Sequence, residues 1–486
     1  MAMMTDTETA AAARPTFPAT FRRLLANTLV TGVTSSFVWF ALTFWVFLET
    51  RSVVVTGVIG GAFGISGALL GPAFGTYVDH HRKHTAMAAA TTVSAASFTV
   101  ATAVFVAIDA ESLLQLTNPW FWLLAMATLF GSVAGTLRGV ALSTCVTLLV
   151  PAERRDRANG MVGTVNGLAF AITSVFSGLV IGYLGMGWAL YGTLALTVAS
   201  LVHLQGIHIP EPEPDPRSPS SSSVDVKGAI EAIGSVPGMG LLIFLAAFNN
   251  LLGGVFLALI DPYGLSLVSV QTWGFLWGFI SLAMIGGGLV VAKFGLGPAP
   301  LRVLLGGNLI AWTVCAVFTA QSSIVLLGAG MVIWMFLMPS IEASEQTVLQ
   351  RLIPFERQGR VFGFAQLVEN AASPITAFLM APLAEAVFMP LMTDGAGADA
   401  IGSWFGTGEE RGLALLFTLA GILGVINTLL VWRSRSFHRL QASWQASVDA
   451  DASPEPAATA GPAAEAVPSG SEPAAGSSTA GRGFDQ

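Results

Sequence analysis

The chain has 486 residues, of which 53% are hydrophobic and only 10% charged, where soluble domains carry roughly a quarter charged. Too few charges remain to cover a water-soluble surface, and the net charge of −7 says little about partners because much of the acid falls in two low-complexity tracts. The two cysteines, Cys145 and Cys315, lie inside apolar runs and exclude a disulfide framework.

A hydrocarbon core about 30 Å thick needs roughly 20 apolar residues at 1.5 Å rise each. Runs of that length fill the chain at 24–48, 54–78, 85–108, 120–149, 158–184, 187–208, 239–261, 272–293, 301–320, 323–349, 358–390 and 411–432. Met1 to Ala19 lacks the apolar core of a signal peptide, so the first run is expected to remain as a span. The breaks carry helix-stopping chemistry at Asn118-Pro119, Pro151, Pro237-Gly238, Pro298, Pro300 and Pro354. From Pro210 to Ser223 the chain is Pro- and Ser-rich and acidic, a linker with no means of forming a core. After it, Val226, Ile230 and Ile233 recur at helical spacing and predict a short helix on the membrane surface. The expected organisation is an N-terminal segment (1–21), a six-helix bundle (22–208), this linker (209–238), a second six-helix bundle (239–433) and a tail (434–486) expected to lack fixed structure beyond about Gln445.

Lys and Arg set the orientation. With the N-terminus inside, the inner segments hold Arg14, Arg22, Arg23, Arg82, Lys83, Arg154, Arg155, Arg157, Arg217, Lys227, Lys293, Arg302, Arg351, Arg357, Arg360, Arg433, Arg435, Arg439 and Arg482, while the outer loops hold Arg51 and Arg411. An even number of spans is needed for that imbalance. The expected location is the cell (cytoplasmic) membrane with both termini cytoplasmic.

The loop after the second span reads Gly71-Pro-Ala-Phe-Gly75-Thr-Tyr-Val-Asp79-His-His-Arg82-Lys83-His84. A glycine four residues before an aspartate at a helix end allows close backbone approach. The carboxylate can then accept from a nearby cation or face another helix's N-terminus. This loop resembles the 2–3 loop signature of the major facilitator superfamily, with His80 in a place usually basic and the glycine before the basic pair missing. A second stretch, Gln346 to Pro354, Gln358 to Phe364, Ser373-Pro374 and Ala381 to Glu385, resembles spans ten and eleven of its drug:proton antiporter branch, which includes macrolide-efflux and multidrug exporters. The fifth span departs, with Thr173-Ser174 where antiporter relatives often carry Gly-Pro; an uptake symporter therefore stays open. The second-half counterpart of the loop, Gly286 to Lys293, lacks the aspartate, so only one gate is expected to be locked by an ion pair.

The resemblance implies an all-α fold of twelve transmembrane helices in two pseudo-symmetric bundles, working by alternating access. It gives Gly75, Asp79, His80, Arg82 and Lys83 as the gating motif. It implies a cavity lined by spans one, four, seven and ten, which here offer Thr31, Ser35, Trp39, Thr136, Asn249, Asn250, Trp334, Met335 and Met338; Trp39 and Trp334 equally fit lipid- or helix-facing positions. Aromatic and Met side chains suit bulky amphipathic ligands. Trp120, Trp122, Trp273 and Trp404 fit the outer interface belt.

Charges inside the spans are independent pointers, because each costs roughly 2.5–3.5 kcal/mol at a helix centre unless a cavity or partner receives it. Glu369 falls near the middle of span eleven, Arg138 near the middle of span four, and Glu342 and Glu345 toward the inner end of span ten. These four are the proton-coupling candidates. The alternatives are a helix-packing acid for Glu369, pairing with loop arginines for Glu342 and Glu345, and a structural counter-ion for Arg138. His80, His81 and His84 lack the partners for a metal site, and a pH-dependent latch is their functional alternative. No P-loop and no basic aromatic stripe is present, so neither ATP drive, cofactor nor nucleic acid is expected. The expected partners are protons, a small amphipathic substrate and the bilayer, with the chain a monomer. The expected activity is proton-coupled efflux of drug-like or secondary-metabolite compounds. A siderophore or lipid-like exporter, or a non-transporting sensor or assembly protein on the same fold, is the alternative.

Overall fold

The computed structural model describes residues 17–50, 53–211 and 225–452. Arg14, Arg51, Arg217, Arg482, the Pro- and Ser-rich linker over 212–224 and the tail from 453 lie outside the described residues. In hydrocarbon every backbone N–H and C=O must be satisfied internally. The described elements are accordingly helices: α1 (Ala19–Thr50), α2 (Val53–His80), α3 (Lys83–Ala107), α4 (Pro119–Leu149), α5 (Arg155–Tyr183), α6 (Met186–Gln205), α7 (Met239–Leu267), α8 (Val270–Phe294), α9 (Pro300–Val317), α10 (Ile324–Leu352), α11 (Phe355–Leu383) and α12 (Glu409–Arg433), with shorter helices between. Eleven helices among the described residues are long and apolar enough to cross a membrane. The helix α2, with no charged residue before Asp79, completes the twelve. The protein is an all-α membrane protein, with twelve long helices among the described residues.

Local chemistry sets the helix starts. Pro119 opens α4 after Asn118, whose side chain accepts from Trp120 N at 3.0 Å. Ser269 and Ser323 cap α8 and α10 in the same way. Arg82 cannot cap α3. Glu211, at the start of the linker, does so instead, accepting from Lys83 N at 2.7 Å and His84 N at 3.0 Å.

Within the first half α1 packs on α5 and α6, and α3 on α4 and α6; in the second, α9 packs on α10 and α12, and α11 on α7. The halves meet along α2 with α11 and α5 with α8. Lipid supplies no hydrophobic drive for helix association, so such seams rest on close backbone packing. Gly71 and Gly75 face Gly363 and Gly359, and a Cβ on Gly71 would lie 2.5 Å from the Gly363 carbonyl oxygen. We expect Gly75→Leu to disfavour this seam by about 1–3 kcal/mol through overpacking. Transport should fall while membrane insertion persists; an unchanged transport rate would show that the seam has room.

Four expectations change. The eleventh span leaves α-helical geometry after Leu383 for a π-turn at Ala384–Phe388 and resumes at Met389–Thr393, following Pro382 within the helix. The linker helix Val226–Ser235 forms, yet it buries Ala229, Ala232 and Ile233 and leaves Ile230 exposed, because the alanines let it lie close. The C-terminal helix Arg435–Ala452 runs past Gln445. It is held by buried Phe437, Leu440 and Trp444, and by Arg351, which bonds Ser447 Oγ at 2.8 Å and pairs with Asp451. Trp273 is buried and not in the interface belt, whereas Trp120, Trp122 and Trp404 are exposed. Gly264 makes its space, since a Cβ there would strike the indole.

Candidate functional site

The loops rich in Lys and Arg come together at one end of the bundles, the basic end. Hydrogen bonds between the halves, among the described residues, lie there. Asp79, its side chain only 2% exposed, accepts from Gly359 N at 2.6 Å, Arg360 N at 2.9 Å and Arg360 Nε at 2.9 Å. The carboxylate of α2 thus both pairs with a cation and meets the backbone of the first turns of α11. Arg360 pairs in addition with Asp225 of the linker, and Asp225 N donates to Thr76 Oγ1 at 3.1 Å. Gly75 gives α11 its approach. Lys83 is buried, donates to Val78 O at 3.1 Å and lies over the Phe355 ring at 4.9 Å. His80 sits beside Thr76 O at 2.8 Å, and Arg82 is exposed.

A second cluster closes the same end. Asn159 of α5 donates to Gln350 Oε1 and Thr347 Oγ1 of α10, each at 2.9 Å. Gln350 Nε2 returns a bond to Ser143 O at 3.1 Å, and Arg155 reaches Gln350 O at 3.1 Å. At the loop after α8, where the first-half aspartate has no counterpart, Asp156 supplies a carboxylate from the opposite side and accepts from Leu296 N at 2.8 Å. Asp225, Arg360, Asn159, Gln350 and Asp156 went unassigned in the sequence. Gln350 and Arg360 stand within the stretch that carries the resemblance, but the partners of all five are remote in the chain.

The candidates expected to share one cavity divide between two. The first, about 330 Å³, is lined by Thr31 and Ser35 of α1, Thr136 and Arg138 of α4, Asn159 and Asn166 of α5, Glu342 and Gln346 of α10, and Gln366 of α11. Trp39 stacks on Phe63 at 4.7 Å, and Phe63 lines the cavity. Arg138 donates to Thr91 Oγ1 at 2.6 Å and Asn27 Oδ1 at 2.5 Å, so neutral dipoles hold it. The counter-ion reading lacks its acid: among the described residues no carboxylate pairs with Arg138. Asn27, which the sequence did not single out, is fixed in turn by Ser200 O at 2.8 Å. Arg138 Nε and the Oε1 atoms of Gln346 and Gln366 are buried without a protein partner, so this cavity offers both donors and acceptors.

Beside it, α10 and α11 bring three acids together. Glu342 points into the cavity, and Glu345 lies one turn further along α10. The side chains of Glu345 and Glu369 neighbour each other across α10 and α11, and the Oε1 atom of each is buried without a hydrogen-bond partner. Two carboxylates are acceptors only, so a hydrogen bond between them can form only when the pair carries a proton. None of the ion pairs found among the described residues involves these three acids.

The second cavity, about 410 Å³, is lined mainly by the second half, with Phe170 from the first, and takes Asn249, Asn250, Trp334, Met335 and Met338. Phe256, Trp277, Trp312 and Phe318 complete an aromatic wall. Asn249 accepts from Trp312 Nε1 at 2.9 Å and donates to Asn308 Oδ1 at 3.0 Å, so both polar ends of Asn249 are occupied, while Asn308 Nδ2 has no partner. The cavities adjoin along α10, where Met338 faces one and Pro339 the other.

The sequence model described as Major Facilitator Superfamily matches residues 24–377. Among solved structures, the human organic anion transporter MFSD10 (TETRAN) superposes with a TM-score of 0.61 at 15% identity, covering 85% of this chain and 100% of that one. A bacterial homologue of the iron transporter ferroportin in an outward-facing state gives 0.63 at 15% identity, covering 85% and 99%. The proton:xylose symporter XylE gives 0.60 at 12% identity, covering 87% and 99%. At these identities the likeness is one of fold. No curated protein matches the chain.

Proposed function

Because the chain belongs to the Major Facilitator Superfamily, and is thus a multi-pass membrane transporter by family, we propose that it is a proton-coupled exporter of drug-like or secondary-metabolite compounds. The observation that carries this reading is the neighbouring pair Glu345 and Glu369, two acids without an ion-pair partner among the described residues, beside the cavity between the halves, where one proton can be taken up and released. In the proposed cycle the halves rock about that cavity, and the contacts at the basic end break when the site opens there. The basic end is cytoplasmic in this reading, by the distribution of Lys and Arg, and the membrane is the cell membrane. The drug:proton antiporter branch is the assignment that the stretch from Gln346 to Glu385 supports. The chain works as a monomer in this proposal, with no cofactor.

One observation favours a second reading, export of a lipid-like amphiphile. A polar cavity with Arg138 and Glu342 adjoins an apolar one with Trp334 and Met335, a division that suits a ligand with a polar head and a greasy body.

Proteoliposomes with an imposed pH gradient test the proposal. Addition of a substrate drawn from a panel of amphipathic cations, macrolides, siderophores and lysolipids should dissipate the gradient, and collapse of the gradient should abolish accumulation. A chain that moves neither protons nor any panel member would remove the exporter reading.

A further inference from the structure

Asp261 is the one charged residue that lines the apolar cavity. It stands near the far end of α7 from the basic end, exposed at the cavity's edge. Its Oδ1 accepts from two indoles, Trp273 Nε1 at 2.9 Å and Trp277 Nε1 at 3.1 Å. Both bonds fall on one oxygen, which fixes the carboxylate's direction and leaves Oδ2 free of these indoles. Nothing cationic lines the cavity, and Trp277, Trp312, Trp334, Phe256 and Phe318 are among its lining residues. A fixed carboxylate beside aromatic side chains, in a space with no Lys, Arg or His, attracts positive charge and repels negative charge.

We propose that this cavity is a binding site for an organic monocation with a large apolar body, with Asp261 as its counter-charge. Asn249 is spent on Asn308 and Trp312 and the remaining interior groups are neutral, Asn308 Nδ2 being a buried donor without a partner, so the charge selection rests at the rim. Phe170 of α5 also lines the cavity, contributed by the first half. Rocking of the halves therefore moves one wall, which ties occupancy to the transport cycle. The site names a substrate class for the exporter proposed above and rests on that reading for its purpose, but binding is measurable without any gradient.

The experiment uses the full chain in nanodiscs and radiolabelled tetraphenylphosphonium, with tetraphenylborate as an anion of the same shape. Native protein should bind the phosphonium saturably, with no competition from the borate. Asp261→Asn keeps an oxygen for the two indoles and should weaken binding about tenfold or more, the usual scale for losing a charged contact. Asp261→Glu should restore most of it. Tryptophan fluorescence of the variants monitors the indole cluster. Absence of saturable phosphonium binding, equal competition by the borate, or an Asp261→Asn variant that binds as native would each overturn the site. Intact binding in a chain that shows no proton flux would overturn the exporter reading and leave the site standing.

Discussion

Replacing Glu369 by Gln is expected to abolish gradient-driven accumulation while leaving substrate counterflow within a few-fold of native. The amide is a permanent stand-in for the protonated acid. It can donate to Glu345, which preserves the contact between α10 and α11, but it neither takes up nor releases a proton. One proton moving through 100 mV supplies about 2.3 kcal/mol, which sustains a gradient of roughly fifty-fold at about 1.4 kcal/mol per decade. Without that exchange the gradient should fall to unity. Counterflow asks only for the halves to rock with substrate on both sides, and so separates coupling from binding. Equal accumulation by native and Glu369→Gln protein would remove Glu369 from the mechanism. Glu345→Gln should produce the same separation, because the proton belongs to the pair.

The second large effect is at the lock. Asp79→Asn should shift the resting population toward a state open at the basic end. Asp79 is almost wholly buried and accepts three bonds from Gly359 and Arg360, and Arg360 is also turned toward Asp225. Removing one partner of a buried pair costs about 3–5 kcal/mol because the other charge is left uncompensated. Asparagine keeps one acceptor and Asp225 keeps its hold on Arg360, so the lower end applies, about a hundredfold change in the ratio of closed to open. Spin labels on the exposed positions His81 and Arg357 report it as a longer distance population. A distance distribution identical to the native one would show that the pair does not hold the gate. Asp225→Asn should give a smaller shift of the same sign, since it leaves the Asp79 bonds in place.

The fold was largely legible before any coordinates. The span limits read from apolar runs agree with the helices to within a few residues at Pro119 of α4, Met239 of α7 and Arg433 of α12. Asn118-Pro119 ends one element and begins the next through bonds that close within a few residues. Where the reading went astray, the deciding contact was remote. Trp273 has the composition of an interface residue, but Gly264 one helix earlier opens the space that buries it. The stripe of Val226, Ile230 and Ile233 shows a helix, yet which side it buries depends on the neighbour it meets. Arg138 reads as a charge in need of an acid, and its partners are Thr91 and Asn27, polar residues common enough in any span to carry no signal.

Period and charge settle what a chain does locally, and here they were enough for an all-α bundle of lipid-spanning helices. An apolar run of bilayer length has only one way to satisfy its backbone, so no tertiary information is needed to read it. The pairing of side chains across separate helices is another matter. Asp79 with Arg360, Asn159 with Gln350, Glu345 with Glu369 and Asp261 with two indoles each join residues whose distance in the chain says nothing of their distance in space. Rotation of each helix about its axis decides them, and that rotation is set by packing at the glycine seams, where a methyl group more or less determines which face turns inward.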